Sequence, residues 1–123
     1  MPALADASLT DAERRALDLA VTNLRAELGE RLRSVWLYGS RARGEPPHPE
    51  SDVDLLVVLD RYSWSEDTGA HDAVWRAQEE VGLDKVYLST LFYDVDRLAQ
   101  RREINSFFIQ EVDRDKIVLH GEP

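Results

Sequence analysis

One short segment of the chain, Gly39-Ser40-Arg41-Ala42-Arg43-Gly44, combines residue types that bind a phosphate group. It follows a predicted strand over 34–38 and opens a helical stretch, whose free backbone N–H groups and positive dipole end favour an anion. Gly39 lacks the β-carbon that would hold a phosphate away from the backbone, and Ser40 adds a hydroxyl donor. Arg41 and Arg43 add positive charge within reach of a polyphosphate. This segment is therefore predicted to hold phosphate.

A pair of carboxylates, Asp52 and Asp54, follows eight residues after Gly44. Ser51 precedes the pair, and the apolar run 55–59 follows it. Alternate residues of a strand share a face, so both carboxylates project to one side. Two like charges held this close repel each other, and a hard divalent cation such as Mg²⁺ or Mn²⁺ relieves that repulsion while leaving positions for phosphate oxygens. Asp52 and Asp54 are the predicted metal ligands, and Ser51 is grouped with the predicted nucleotide-binding residues.

The Gly-Ser pair followed by Asp-x-Asp resembles the signature of the DNA polymerase β nucleotidyltransferase superfamily. Over most of its length the chain more closely resembles the minimal nucleotidyltransferases of prokaryotes, small single-domain proteins that often act as antitoxins beside a HEPN-type toxin. The likeness continues through 89–121, which contains Asn105-Ser106-Phe107-Phe108 and a closing segment over 116–121. The resemblance implies a polymerase β-like α/β fold, in which helices pack on a small mixed sheet.

The same resemblance implies a metal-dependent reaction, the transfer of a nucleoside monophosphate from ATP to a hydroxyl acceptor with release of pyrophosphate. Asp52 and Asp54 would hold the metal, while Gly39, Ser40 and the nearby arginines would fix the phosphates. The chain has no length for an additional acceptor-binding domain, so the acceptor is expected on another protein. By resemblance, that acceptor is a tyrosine of a HEPN-type toxin, and the reaction is its adenylylation by an antitoxin.

The superfamily normally adds a third carboxylate on a neighbouring strand, where it serves as the base for the attacking hydroxyl. If the strand after Asp54 and a later strand over 85–92 are parallel, Asp84 lies beside the carboxylate pair and is the predicted third acid. A comparison of the segment 86–89 with the related small proteins could instead put Tyr87 where their acid stands. The chain would then be a nucleotide-binding interaction module that masks a partner protein sterically, with a weak or silent catalytic site.

The arginines near the predicted site have a structural interpretation beside the functional one. Arg43 could contact the nucleotide from within the phosphate turn, or form a salt bridge with Glu45 or Glu50. The basic face over 97–102 of a later helix could bind triphosphate, or remain solvated and pair with neighbouring aspartates. The sequence leaves these alternatives open.

The elements that must position the site alternate between helix and strand. Thr10 and Glu13 have the spacing of a capping box before an amphipathic helix, and Gly29 marks its end. A second helix is predicted over about 65–81, followed by a strand over 85–92 that is rich in β-branched and aromatic residues. Since a strand, a crossover helix and another strand usually form a parallel pair, these elements predict a small mixed sheet.

Length and composition set further bounds. The 123 residues, of which 43% are hydrophobic, can bury one core, so a single domain over 1–123 is expected. The chain has no cysteine and no apolar stretch long enough to span a membrane. Its first residues lack the basic start and apolar core of a signal peptide, so a cytoplasmic location is expected. A net charge of −9 makes nucleic acid an unlikely main partner and suits a basic protein.

Overall fold

The computed structural model describes residues 3–47, 52–83 and 87–123 and contains one mixed β-sheet. Its strands are β1 (Leu32–Tyr38), β2 (Val53–Leu59), β3 (Leu88–Asp94) and β4 (Ile117–Gly121). They lie in the order β3-β2-β1-β4. β1 pairs antiparallel with both β2 and β4, whereas β2 and β3 are parallel, as the crossover rule predicted. The mixed sheet and the parallel pair expected from the sequence are thus confirmed.

The helices are α1 (Asp11–Leu28), α2 (Gly39–Ala42), α3 (Thr68–Val81), α4 (Val95–Glu103) and α5 (Phe107–Asp115). Short 3-10 turns cover Leu4–Asp6 and Gly29–Arg31. Across the described ranges, no helix combines the length and the apolar character needed to cross a bilayer.

The sheet is covered by helices on both faces. One face packs against α1 and α3, and the other packs against α4 and α5. The sheet residues buried on the α1/α3 face include Val35, Leu37, Val53, Leu55, Val57 and Leu59. Those on the α4/α5 face include Trp36, Leu56, Val58 and Tyr93. Because successive side chains of a regular strand alternate between faces, this division gives the direction of the residues of β2.

The central strand β2 is buried along almost its whole length. Six of its seven residues are buried, and the half-buried exception is Asp54. An apolar run of this kind is typical of a strand covered on both faces, and it explains why polar chemistry is confined to the start of β2. Burial of the apolar run therefore holds the backbone that carries the carboxylates.

Several element boundaries differ from the sequence prediction. α3 begins at Thr68 rather than near Ser65, because Asp67 closes a turn by accepting a hydrogen bond from the Ser63 N–H at 2.8 Å. β3 begins at Leu88 and extends to Asp94, two residues beyond the predicted end at 92. A further helix, α5, follows α4 and was not predicted, although Phe108, Ile109 and Val112 have helical spacing.

The first helix begins and ends as the sequence predicted. The Glu13 N–H donates to the Thr10 hydroxyl at 3.1 Å, and the Thr10 N–H donates to the Glu13 carboxylate at 2.8 Å. This reciprocal pair is a capping box, which satisfies two backbone donors that a helix start leaves unpaired. Gly29 follows the helix with a φ of +56°, a conformation that favours glycine.

Removing the Thr10 cap should destabilise the protein measurably. We expect Thr10→Ala to lower the free energy of unfolding in urea by about 1 kcal/mol, since the Glu13 N–H then loses its acceptor. Thr22→Ala is the matched control, because Thr22 lies inside the same helix and its exposed hydroxyl merely bonds back to the Asp18 carbonyl. A control loss as large as that of Thr10→Ala would contradict a specific role for the cap.

Candidate functional site

The two predicted metal-binding carboxylates lie where β2 begins, on the α4/α5 side of the sheet. Asp54 pairs with Tyr38 at the end of β1 and with Ser89 near the start of β3. It alternates with Leu56, which is buried on the α4/α5 face, so its carboxylate belongs to that face. Asp52 precedes β2 by one residue and shares this direction by the same alternation. The structure therefore brings Asp52 and Asp54 to one edge of one face.

Tyr87 is the residue beside Asp52. The Val53 N–H donates to the Tyr87 carbonyl at 3.0 Å, and the Tyr87 N–H donates to Asp52 Oδ1 in a long contact of 3.4 Å. These bonds extend the parallel register, in which Val53 pairs with Leu88, by one residue toward the chain start. Among the described residues, the neighbours of the carboxylate pair on this strand are thus an aromatic residue and Ser89 rather than an acid.

The phosphate turn adjoins the second carboxylate. Gly39 follows β1 directly, has a φ of +79°, and opens the single helical turn α2. A β-carbon built on Gly39 would lie 2.5 Å from Asp54 Oδ2, closer than any real carbon–oxygen contact allows. The missing side chain therefore leaves the space that the Asp54 carboxylate occupies. The first backbone N–H groups of a helical turn have no acceptor within the turn and remain suited to an anion.

The charge of the pair is unfavourable without a counter-ion. Burial raises the pKa of Asp54 above its ordinary value, and the neighbouring charge of Asp52 raises it further, while Arg41 and Arg43 oppose the shift. Burial and, second, the charge of Asp54 raise the pKa of Tyr38 to about 12, so its phenol stays neutral. A cation placed between the carboxylates would relieve this repulsion.

Arg41, a predicted phosphate ligand, is buried and paired within the protein. Its Nη1 lies 2.7 Å from Glu13 Oε1 and donates to the Ser8 carbonyl at 3.0 Å, with 3% of its side chain exposed. Burial acts to raise the pKa of Glu13, but hydrogen bonds from Arg41 and Thr10, together with the charge of Arg41, outweigh it and leave that pKa low. Arg41 thus contributes positive potential at Asp54 while it anchors α2 to α1.

Arg43 lies nearer to solvent than Arg41 and keeps the structural contact that the sequence left open. Its guanidinium pairs with Glu45 and reaches Asp115 at the end of α5, at 3.5 Å. Its side chain is 40% exposed, so it can exchange a carboxylate for a phosphate without leaving a buried charge unpaired. Ser40 is half-buried in α2, next to Gly39.

Residues 48–51 and 84–86 lie outside the described part of the chain. They include two predicted site residues, Ser51 and Asp84. Their roles stay predictions. Sequence reasoning missed two neighbours of the site, Tyr38 and Ser89. Tyr38 immediately precedes the Gly-Ser pair, which could have indicated it, whereas the placement of Ser89 depends on strand register.

The donor set at the site fits Mg²⁺ or Mn²⁺. Asp52 and Asp54 offer hard oxygen ligands, and the missing side chain of Gly39 lets the Asp54 carboxylate lie directly against the turn predicted to hold phosphate. Within 3–47, 52–83 and 87–123, no cluster of three or more potential ligand side chains occurs. Mg²⁺ commonly binds through one or two carboxylates and takes its remaining oxygens from water and substrate phosphates.

A family model described as a nucleotidyltransferase domain matches residues 21–120, so the chain belongs to that family. The fold is similar to a mutant of the toxin–antitoxin complex MntA–HpeT, with a TM-score of 0.51, 15% identity, and coverage of 83% of this chain and 71% of that chain. The fold is also similar to a crystal structure of a toxin–antitoxin with AMP-PNP, with a TM-score of 0.51 and 17% identity. This match covers 84% of this chain and 72% of that chain. The comparison with curated proteins gave no match. The family match confirms the predicted nucleotidyltransferase domain, and the fold is similar to that of the two toxin–antitoxin structures.

The buried ion pair between Glu13 and Arg41 should give a pH-dependent stability difference. We expect Glu13→Gln to cost roughly 3 kcal/mol at neutral pH, because it removes the negative charge that lies 2.7 Å from the buried Arg41 guanidinium. The folded pKa of Glu13 lies below its unfolded value, so its contribution is complete above about pH 4.3 and is lost as the pH falls through the folded pKa. Urea unfolding at several pH values should therefore show the difference shrinking in acid.

Glu103→Gln serves as the control for that series, since Glu103 is an exposed residue of α4. It should change stability by less than about 0.5 kcal/mol at any pH. A Glu13→Gln difference that stays constant from neutral to acidic pH would rule out the ionised pair as its source.

The close approach of Gly39 to Asp54 predicts a specific loss of ligand binding. Gly39→Ala should lose about 1–2 kcal/mol of stability from its positive φ, and its methyl group should also displace the Asp54 carboxylate. Gly82→Ala is the matched control, because Gly82 has a φ of +83° and no atom within 4 Å of the added carbon. Calorimetry should show weakened binding of Mg²⁺ and ATP in Gly39→Ala alone. Equal affinities of the two folded variants for Mg²⁺ and ATP would contradict a role for Gly39 in phosphate binding.

Proposed function

We propose that this protein transfers a nucleoside monophosphate, AMP from ATP, to a hydroxyl group of a partner protein, as the antitoxin of a toxin–antitoxin pair. The observation that carries the proposal is the contact between the Gly39 turn and the Asp54 carboxylate, with Asp52 on the same face of the sheet. This arrangement joins an anion-binding turn to a carboxylate pair. Membership of the nucleotidyltransferase domain family supports the reaction class.

Each group has a distinct role in the proposed reaction. The backbone at Gly39 and the Ser40 hydroxyl bind phosphate oxygens, with Ser51 as a further predicted contact. Arg43 exchanges its exposed carboxylate partners for the polyphosphate, and Arg41 acts through its positive potential and its hold on α2. Asp52 and Asp54 hold Mg²⁺ or Mn²⁺, which when bound neutralises the charge that develops on the phosphates. Pyrophosphate leaves in line with the incoming hydroxyl.

The acceptor is proposed to be a tyrosine of a HEPN-type partner. The two structurally similar proteins are described as toxin–antitoxins, which supports a protein partner, and one of them was crystallised with AMP-PNP, which supports ATP as the donor. The acidic chain, with a net charge of −9, suits a basic protein. Asp84 is the proposed base for the attacking hydroxyl.

A second function is favoured by Tyr87, which lies where a neighbouring-strand acid would stand. Its backbone is fixed to Asp52 and Val53, and its side chain is an aromatic group rather than a carboxylate. In this alternative the protein binds nucleotide and covers its partner without transferring AMP, because the site lacks a third acid to help hold metal and activate the hydroxyl.

One experiment separates the two functions. The protein and a HEPN-like protein encoded beside it are incubated with Mg²⁺ and ATP labelled at the α-phosphorus, and label on the partner is measured. We expect transfer by the parent, abolition by the double variant Asp52→Asn with Asp54→Asn, and a loss of about a hundredfold or more in Asp84→Asn. Glu103→Gln should transfer normally and serves as the control.

Binding measurements complete the test. In calorimetry the double variant should lose the Mg²⁺-dependent part of its ATP affinity while remaining folded. Transfer that survives in the double variant would exclude the carboxylate pair from the reaction. Binding by the parent without any transfer to its partner would instead support the masking module, and an unchanged rate in Asp84→Asn would exclude Asp84 as the base.

A further inference from the structure

We propose that Tyr87 is itself an acceptor, so that the protein attaches AMP to the Tyr87 phenol when no partner hydroxyl occupies the site. This inference rests on the proposed nucleotidyl transfer and adds a modification site within the same chain. It is motivated by the position of this tyrosine, whose backbone N–H contacts Asp52.

The backbone of Tyr87 is held in register with the carboxylates. Its carbonyl accepts from the Val53 N–H at 3.0 Å, and its N–H contacts Asp52 Oδ1 at 3.4 Å. The next residue, Leu88, is buried in the α1/α3 core. Alternation therefore directs Tyr87 to the opposite face, which is the face of Asp52 and Asp54.

The reach and exposure of the side chain suit an acceptor. Neighbouring strands lie about 4.8 Å apart, and a tyrosine side chain is longer than this spacing, so its phenol can extend across the start of β2. Tyr87 is 50% exposed, so the ring can move without breaking packing. A nucleotide held at the Gly39 turn would approach from the other side of β2, because β1 and β3 flank that strand.

Tyr38, the other phenol beside the carboxylates, is less suited to this reaction. Its ring packs edge-on against Phe108, with the ring centres 5.5 Å apart. It also lies on the β1 side with the phosphate turn rather than across from it. Tyr87 is therefore the phenol that faces the phosphates from the acceptor side.

The transfer balances with ATP as its sole co-reactant. The phenolic oxygen of Tyr87 attacks the α-phosphorus and forms a phosphodiester bond to AMP. The bond from the α-phosphorus to the bridging oxygen breaks, and its electron pair leaves with pyrophosphate. The phenolic proton passes to solvent at the open side of the strand. Because the attached AMP then fills the site, modification should also slow transfer to a partner.

The test uses the full chain alone, with Mg²⁺ and ATP labelled at either the α- or the γ-phosphorus. We expect α-label to become covalently attached, γ-label not to, and peptide mass spectrometry to place one AMP on Tyr87. Tyr87→Phe should reduce labelling to background while its ATP affinity, measured by calorimetry, stays that of the parent. Tyr93→Phe should label normally, because Tyr93 lies on the same face of β3 but is buried at the far end of that strand.

A second readout does not depend on turnover. Nitration of Tyr87 by tetranitromethane should slow when an ATP analogue with a non-hydrolysable α,β-linkage is bound, while nitration of Tyr62 should not change. Label that persists in Tyr87→Phe, or maps to another residue, would overturn the assignment of Tyr87. Transfer of AMP to the partner without self-labelling would overturn this inference and leave the proposed function intact. ATP binding with no transfer of AMP to the partner or to Tyr87 would contradict both the inference and the proposed transferase function.

Discussion

The burial of β2 on both faces is the constraint on which the site depends. A carboxylate in the buried part of this strand would be costly, since a buried charge without a partner is unfavourable. Asp52 precedes β2, and Asp54, its second residue, is the half-buried one, so both carboxylates lie at the start of the strand. The same burial fixes the strand register, because a shift by one residue would turn Asp54 into the α1/α3 core.

Around this strand, two kinds of positive charge serve different purposes. The guanidinium of Arg41 is held by Glu13 and Ser8 and ties α2 to α1, so it stabilises the turn that begins at Gly39. Arg43 is exposed, and its carboxylate partners are replaceable. A substitution at Arg41 therefore disturbs folding and the site together, whereas one at Arg43 acts mainly on the ligand.

The parallel pairing of β2 and β3 decides what faces the carboxylates. Register places Tyr87 beside Asp52 and Ser89 beside Asp54, so hydroxyl groups rather than acids line the described part of this neighbouring strand. With no acid among these described neighbours, β3 gives less support for a base that activates the attacking hydroxyl and more for the masking role. The phenol of Tyr87 also offers an acceptor within the chain.

The sequence by itself determined the local features. The capping box at Thr10, the end of α1 at Gly29, and the strand before Gly39 follow from neighbouring residues, because caps, turns and strand periodicity are short-range effects. The Gly-Ser and Asp-x-Asp pairs indicated a phosphate and metal site for the same reason.

Tertiary structure decided the long-range relations. Glu13, an ion-pair partner of Arg41, lies 28 positions away, and no local pattern distinguishes a buried arginine from a phosphate ligand. The start of α3 depended on the Asp67 turn, and the neighbours of Asp52 depended on a strand 35 positions further along the chain. These outcomes are set by packing between distant segments, where the free energy of burial outweighs local preference.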